Sequence, residues 1–241
     1  TNEELLYGGK IGLSHQYNKN QLSFITLSRG YKAGGVNSDS RIPTENLTFD
    51  TEYLWNLETG LNSSFLNDDL KTRITVFYTQ RDDQQVNTSI QEEGSSDFVT
   101  YYTNAAKGEH FGLEAEMDWN INAKWRLKSS LGLLNATFIE FDYIDKDSGE
   151  TIVLDGKEQA HAPSYQYSIG GEYAFNAHWI ASANIEGKDA FNFSNSHDAE
   201  STAYNLVNAS LEYMKNDWTV TLWARNLMDT EYDIRGYHFG I

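Results

Sequence analysis

The chain has 241 residues, no cysteine, two prolines, 14% aromatic residues and a formal net charge of −17. The lack of cysteine excludes a disulfide scaffold and a zinc–thiolate site, and the acidic balance argues against nucleic-acid binding, which needs a basic surface. A mean hydropathy of −0.58 and the absence of a long apolar run argue against a membrane helix. A hydropathy scan would not detect membrane-spanning β-strands, because their apolar and polar residues alternate. The opening residues 1–4 do not read as a signal peptide, so we expect a cytoplasmic protein or a mature piece of a longer one.

Apolar and polar residues alternate along most of the chain, which is the period-two pattern of β-strands. Short clusters of Asn, Asp, Lys and Ala separate the alternating runs and read as turns. About ten antiparallel strands are therefore expected. In chain order they lie at residues 7–17, 21–32, 53–62, 70–78, 109–121, 125–133, 165–175, 179–188, 204–213 and 218–232.

The hairpin at residues 109–134 shows the pattern most clearly. Its apolar face ends in Trp119 and Trp125 beside the turn, a placement typical of an aromatic girdle at a membrane interface. Its other face is charged where a soluble protein would have a core, and burying so many charges would cost several kcal/mol each unless they were paired. The charged residues of this face are Glu114, Glu116, Asp118, Arg126 and Lys128.

The connections between the strands alternate as regularly as the side chains. Short turns join the strands at one end, and long polar segments at 34–49, 87–108, 143–163 and 194–202 join them at the other. Outer-membrane barrels have this asymmetry, whereas a β-sandwich places long loops at both ends. The alternative is a soluble antiparallel sheet whose polar face meets water and whose apolar face is covered by something else.

Two motifs resemble one protein family, the TonB-dependent outer-membrane receptors. Residues 225–232 are similar to its Arg-Asn-Leu-Phe-Asp-x-x-Tyr signature, with Met228 in place of Phe, and residues 28–37 are similar to the Ser-x-Gly-Tyr-Lys-Ala-Gly-Gly-x-Asn strand end of its siderophore receptors. We expect Gly30, Gly34 and Gly35 to let a strand bend at the rim, and Asn226 and Asp229 to bond local backbone. Further segments in the family's order are 57–60, 73–78, 85–86 and 112–115.

The resemblance implies an all-β transmembrane antiparallel barrel of about 22 strands with a plugged lumen. Residues 1–241 would be the C-terminal portion of that barrel, roughly its strands 12 to 21, without the plug domain, the early strands and the last strand. An open sheet with a lipid-facing surface should not be stable alone, so the missing strands must be supplied. The absent N-terminal region would contact TonB in the periplasm.

The function implied by the resemblance is active import across the cell outer membrane of Gram-negative bacteria, with energy from TonB-ExbB-ExbD. The expected ligand is a ferric siderophore; cobalamin, thiamin or a glycan are alternatives. Outer-membrane lipid and lipopolysaccharide are the other expected partners. Because ferric chelates are often anionic and planar, cationic and aromatic side chains on the loops and in the upper lumen are the candidates to bind them. The candidate ligand-binding residues are Arg41, Tyr101, Tyr102, His161, Arg235, Tyr237 and His238.

The charges of the polar face are expected to point into the lumen, toward the plug or toward one another. Asp118 is a predicted cross-strand partner of Arg126 or Lys128. The full lumen-facing set adds Glu58 and Arg73, a second predicted pair, to Glu114, Glu116, Asp118, Arg126 and Lys128.

Other functional classes have little support in the sequence. The six histidines are scattered, with no two at metal-ligand spacing, and nucleophile-elbow and phosphate-loop patterns are absent. We therefore expect no catalytic residue, no metal site, no cofactor and no enzymatic activity. A soluble or surface-anchored adhesin or binding module is the alternative from another class.

Overall fold

Antiparallel strands account for nearly all regular structure in the computed structural model, which describes residues 5–91, 98–144, 151–195 and 199–236. A single 3-10 turn at Thr44–Asn46 is the helical element of the described residues, and no helix among them is long and apolar enough to cross a membrane. The strands are β1 Gly9–Asn18, β2 Gln21–Lys32, β3 Gly35–Val36, β4 Thr48–Phe49, β5 Glu52–Phe65, β6 Leu70–Gln91, β7 Phe98–Asn120, β8 Trp125–Glu140, β9 Asp142–Ile144, β10 Thr151–Val153, β11 Tyr165–Ala174, β12 Trp179–Lys188, β13 Tyr204–Lys215 and β14 Trp218–Ala224.

One sheet of ten strands contains the predicted set, in the order β1-β2-β5-β6-β7-β8-β11-β12-β13-β14. Every neighbouring pair is antiparallel, which confirms the predicted strand number and connectivity. The short pairs β3–β4 and β9–β10 form separate two-stranded sheets within the long connections. β1 and β14 are the two edges and do not pair with each other in the described part of the chain, so the barrel is not closed.

The register divides the sheet into two chemically different faces. Residues opposite each other in the ladder share a face, so Trp55, Tyr78, Phe111 and Tyr165 belong with the exposed aliphatic residues between them. Between those four rings and the turn-side rings Trp119, Trp125, Trp179 and Trp218, this outer face contains no Asp, Glu, Lys or Arg; Arg29, opposite Trp55, and Lys215, opposite Trp218, lie at its two margins. The charged residues of the ten strands in that span lie on the other, inner face.

Two of the short turns are built identically from the same tetrapeptide pattern, Asn-Ala-x-Trp. Asn122 Oδ1 accepts hydrogen bonds from the backbone N–H of Lys124 and Trp125, at 2.8 and 3.1 Å. Asn176 Oδ1 accepts from His178 and Trp179 at the same two distances. Such Asx turns bring the strands back at a fixed register, and that register sets each following Trp on the outer face beside the turn.

Two predicted boundaries are wrong. The segment 87–108 was expected to be a loop because it is polar, but β6 and β7 continue through 87–91 and 98–107 as one long hairpin whose backbone groups pair with each other. The last strand was expected to reach residue 232, but it ends at Ala224, because Asn226 adopts a φ of +50° and turns the chain.

Some glycines on the inner face are covered by aromatic rings from the neighbouring strand. A Cβ atom on Gly112 would lie 2.3 Å from Phe77 Cζ and 2.7 Å from the backbone oxygen of Leu133. Gly132, on the adjoining strand, would place its Cβ no closer than 3.5 Å to any atom. Gly112 therefore allows Phe77 to lie flat across the ladder, whereas Gly132 has room for a side chain.

We expect Gly112→Ala to lower the free energy of unfolding by about 1–3 kcal/mol, because the Leu133 carbonyl cannot move without breaking the ladder. Gly132→Ala is the matched control and should change it by less than about 0.5 kcal/mol. Thermal unfolding of the full-length protein, followed by β-sheet circular dichroism, measures both. Equal losses in the two variants would contradict the steric explanation.

Candidate functional site

The inner face encloses a concavity with a volume of about 1020 Å³. Residues from both edge strands line it, Gln16 on β1 and Trp223 on β14, so the sheet curves with its polar face inside. The concavity lies toward the short turns, since its lining includes Lys19, Asn20 and Ser64. Its walls are therefore formed by the polar face of the strands, and no described residue of the long connections lines it.

Several predicted lumen charges meet in this concavity as ion pairs. Arg126 Nε donates to Asp118 Oδ1 at 2.8 Å, and Lys128 Nζ donates to Glu172 Oε1 at 3.2 Å. The predicted pairing of Asp118 with Arg126 is thus confirmed, while Lys128 turns to the carboxylate on the next strand. About two fifths of the Arg126 and Asp118 side chains are exposed, at 40% and 37%, so this pair contributes little to stability.

The predicted pair of Glu58 and Arg73 is wrong. Phe65 pairs with Leu70 across the turn, so Arg73 lies opposite Asn62, and Glu58 is four residues farther along the strand, beyond even a diagonal contact. Glu58 lies opposite Phe77 on one side and Thr26 on the other. On the inner face Arg73 lies opposite Glu116, and Glu114 opposite Thr75.

At the loop end, three amides fasten the connection 33–51 to the long β6–β7 hairpin. Asn37 Nδ2 donates to the backbone oxygens of Asn46 and Tyr102, and Tyr102 N–H donates back to Asn37 Oδ1. Asn104 Nδ2 likewise donates to the backbone oxygens of residues 50 and 83, at 3.1 and 2.7 Å. Gln85 Nε2 donates to the backbone oxygens of residues 32, 33 and 50, at 3.2, 3.0 and 3.0 Å. The connection is held against the wall by side chain to backbone bonds.

A buried ion pair lies directly beneath this connection. Glu52 Oε1 accepts from Arg81 Nη2 at 2.6 Å, and Glu52 Oε2 accepts from the Gln85 N–H at 2.8 Å. Only 6% of the Glu52 side chain and 22% of the Arg81 side chain are exposed. Sequence reasoning missed both residues, because they lie beyond the stretch where alternation marks the face to which a side chain belongs.

A second polar group extends this pair across β7. His110 Nε2 lies 3.1 Å from Gln159 Oε1, and Gln84 Nε2 donates to that same oxygen at 3.1 Å. Gln159 Nε2 in turn donates to the Thr137 backbone oxygen. Because the shared atom is an amide oxygen, His110 donates to it and carries its proton on Nε2. These side chains lie on the inner face of the sheet, at the end of the strands where the long loops begin.

The predicted ligand residues Tyr101 and Tyr102 occupy different environments. Tyr101 is buried against Ile42, Val99 and Leu47, and this burial raises the pKa of its phenol. Tyr102 is 39% exposed, and its ring lies 5.4 Å from the ring of Phe49 and 5.1 Å from Lys32 Nζ. Tyr101 thus packs a loop in place, whereas Tyr102 presents an accessible ring to the rim.

The remaining predicted ligand residues lie on separate loops. Arg41 Nη2 is 2.7 Å from Asp39 Oδ2 in the connection 33–51, and His161 lies 5.4 Å from the ring of Phe191 between the centroids. Arg235 is exposed, and Tyr237 and His238 lie outside the described residues. The structure therefore does not bring this set together at one point. Within the described chain, no group of three His, Asp or Glu side chains is placed to hold a metal ion.

The two motifs singled out in the sequence build local structure. Asn226 Nδ2 donates to the Thr230 oxygen at 3.0 Å and Asn226 Oδ1 accepts from the Thr230 N–H at 2.9 Å, which confirms that this residue bonds local backbone. At the other motif, a Cβ on Gly34 would lie 2.6 Å from the Phe49 oxygen, so glycine permits that close approach. Gly30 meets no such neighbour.

Residues 7–227 match the profile of one family, described as TonB dependent receptor-like, beta-barrel. The match covers nearly the whole sheet, from the residues before β1 to the turn after β14. The chain belongs to the TonB-dependent receptor family. The charged inner face and the charge-free outer face are thus the two sides of a receptor barrel wall.

Solved receptors share this architecture at low sequence identity. The ferric yersiniabactin uptake receptor FyuA from Yersinia pestis matches with a TM-score of 0.75 and 18% identity, over 96% of this chain and 33% of its own. The siderophore receptor PiuA from Acinetobacter baumannii gives 0.75 and 16%, over 95% and 33%. The copper transporter OprC gives 0.71 and 15%, over 94% and 34%. The chain spans about one third of the length of these structures.

We expect Glu52→Gln to destabilise the receptor by about 3 kcal/mol or more, because it leaves the mostly buried Arg81 guanidinium without a counter-charge. The amide keeps an oxygen for the Gln85 N–H, so the loss reports on charge. Chemical unfolding of the full-length receptor in detergent gives the value. The matched change Asp118→Asn removes a carboxylate from the exposed pair and should cost less than about 1 kcal/mol. Similar losses in both variants would show that the buried Glu52–Arg81 pair contributes no more to stability than the exposed Asp118–Arg126 pair.

The Asp39–Arg41 pair makes a prediction about pH. Hydrogen bonds from the Arg41 side chain and backbone lower the pKa of Asp39 from 3.8 to about 2. Because the folded pKa lies below the ordinary value, the pair is fully formed above pH 4 and is lost as the pH falls from about 4 to about 2. Carboxyl NMR titration of aspartate-labelled receptor should show this depressed pKa. Arg41→Gln should return it toward 3.8, and an unchanged titration would contradict the pairing.

Proposed function

We propose that this chain is part of an outer-membrane active-transport receptor that imports a scarce ligand, in the first place a ferric siderophore. The single observation that carries the proposal is the division of the sheet into a charge-free outer face and a charged inner face, in a member of the TonB-dependent receptor family. A wall of this kind faces acyl chains on one side and a polar, plugged lumen on the other.

The two rows of aromatic rings support a membrane orientation. Trp125 lies 4.5 Å from Tyr173, and Trp179 lies 4.7 Å from Tyr213, between ring centroids on neighbouring strands beside the short turns. In outer-membrane barrels the short turns face the periplasm and the long loops face outward. We therefore assign the turn end to the periplasm and the fastened connection 33–51 to the cell exterior, with lipid and lipopolysaccharide around the wall.

The chain itself represents the C-terminal portion of such a barrel in our proposal. It spans about one third of the solved receptors it matches, and its ten strands would be roughly strands 12 to 21 of about 22. The inner charges Glu58, Arg73, Glu114 and Glu116 would then face a plug domain, and an N-terminal segment would contact TonB, which couples uptake to ExbB and ExbD. No chemical change of the ligand is required, so we propose no enzymatic role.

The ligand class rests on the loop end rather than on the concavity near the turns. One structural neighbour is described as a ferric yersiniabactin uptake receptor and another as a siderophore receptor, which favours an iron chelate, whereas a third is described as a copper transporter. We propose that Arg41, Tyr102, His161, Arg235, Tyr237 and His238 contribute to capture through charge and ring stacking. Tyr101 would act by packing the loop. Cobalamin, thiamin or a glycan are alternative cargoes, and a surface adhesin is the alternative from another class.

Uptake of iron by a deletion strain tests the function. A strain lacking the receptor should lose growth on at least one member of a panel of ferric chelates, and the cloned receptor should restore it. Dissipating the proton gradient should abolish accumulation of the radioactive iron chelate while leaving surface binding intact. Undiminished growth on every chelate, with loss of growth on cobalamin or a glycan instead, would reject the siderophore assignment. If the full-length protein were fully soluble without detergent, the assignment as an outer-membrane receptor would be wrong.

A further inference from the structure

A charged side chain stands on the lipid-facing surface at the loop end of β2. Arg29 lies opposite Gly9 on β1 and Trp55 on β5, so it shares the outer face with the exposed Ile25 and Leu27. It occupies the variable position of the Ser-x-Gly-Tyr-Lys motif. The motif therefore does not explain why a cation is present at the upper margin of an otherwise charge-free wall.

Aromatic rings hold the Arg29 guanidinium in a defined position. Its central carbon lies 4.0 Å from the ring centroid of Tyr7, 4.3 Å from that of Tyr53 and 5.9 Å from that of Trp55. Its Nη1 also donates to the Tyr7 backbone oxygen. The rings contact the guanidinium by cation–π interaction, and the bond to Tyr7 uses one of its five N–H groups, so the described chain leaves most of them for a further acceptor.

No counter-charge for Arg29 is found among the described residues. Arg81 pairs with Glu52 and Arg126 with Asp118, but Arg29 contacts no carboxylate in the part of the chain that the structure describes. Glu109, an acidic residue farther along the same face, is engaged by the Tyr78 hydroxyl at 3.0 Å. A guanidinium held between rings beside an apolar wall keeps its charge, since arginine does not deprotonate in proteins. A counter-charge would therefore come from beyond the described residues, and the membrane surface beside Arg29 offers anions.

We propose that Arg29, held by Tyr7 and Tyr53, binds the phosphate group of a lipid in the outer leaflet. This inference rests on the membrane orientation of the proposed function, which sets Arg29 at the upper margin of the charge-free band, at headgroup depth. The chemistry fits a phosphate, because the planar edge of arginine donates two parallel hydrogen bonds to it. The exposed Ile25 and Leu27 below would contact the acyl chains of the same lipid.

Binding of a defined lipid to the detergent-purified full-length receptor tests the site. The probes are a hexa-acylated lipid A with both phosphates and the same lipid after enzymatic removal of the phosphates, titrated and counted by native mass spectrometry. The wild-type receptor should bind the phosphorylated lipid more tightly, and Arg29→Gln should weaken that binding by about tenfold while leaving the dephosphorylated lipid unaffected. Lys124→Gln, which removes one positive charge at the short-turn end, is the matched control and should change neither affinity.

Arg29→Lys keeps the test decisive if the glutamine variant does not fold. A lysine retains the charge but lacks the planar edge, so we expect a several-fold loss of affinity for the phosphorylated lipid. Equal binding of the two lipids by the wild-type receptor, or unchanged binding in both Arg29 variants, would overturn the proposal. Failure here would leave the iron-uptake result standing, because that experiment measures cargo rather than bound lipid, and failed uptake would equally leave the lipid titration interpretable.

Discussion

The backbone ladder of the ten-stranded sheet is the constraint on which everything else depends. A strand shifted by one residue would move all its charges to the outer face, so the register must hold through every hairpin. The turns fix it locally, as Asn122 and Asn176 do with identical hydrogen bonds. Once the register is set, the positions of the aromatic rows, the inner ion pairs and Arg29 all follow from the sequence of each strand.

The ladder also explains where sequence reasoning succeeds and where it stops. Strand positions and faces were predictable between residues 109 and 134, because each side chain there faces either lipid, which favours apolar residues, or an aqueous lumen, which favours polar ones. Above that band the strand continues through 87–91, where the polar composition of the segment predicts a loop instead. The Glu52–Arg81 pair and the three amides fall in this upper region, and only the three-dimensional register shows them.

The pairing error at Glu58 has the same physical origin. Opposite charges on adjacent strands attract each other, but a β ladder brings into contact only residues that are directly opposite or diagonal neighbours, as Asp118 and Arg126 are. Counting from the Phe65–Leu70 pair puts Arg73 opposite Asn62, well away from Glu58. Asp118 and Arg126 were predictable because both lie close to their turn, where a small counting error still leaves them within reach.

The two ends of the wall are stabilised by different means, and this difference bears on function. Near the turns the inner charges are half-exposed and arranged around an open concavity, which keeps them available to another polar surface. Near the loops, amide side chains and a buried ion pair tie the connection 33–51 to the strands, so that part of the rim is preorganised. In the proposed receptor, a rim that is ordered before the ligand arrives would lose less conformational entropy on binding, which would favour tight binding of that ligand. The half-exposed charges at the other end can exchange partners at small cost, which a mobile plug of the proposed receptor would require.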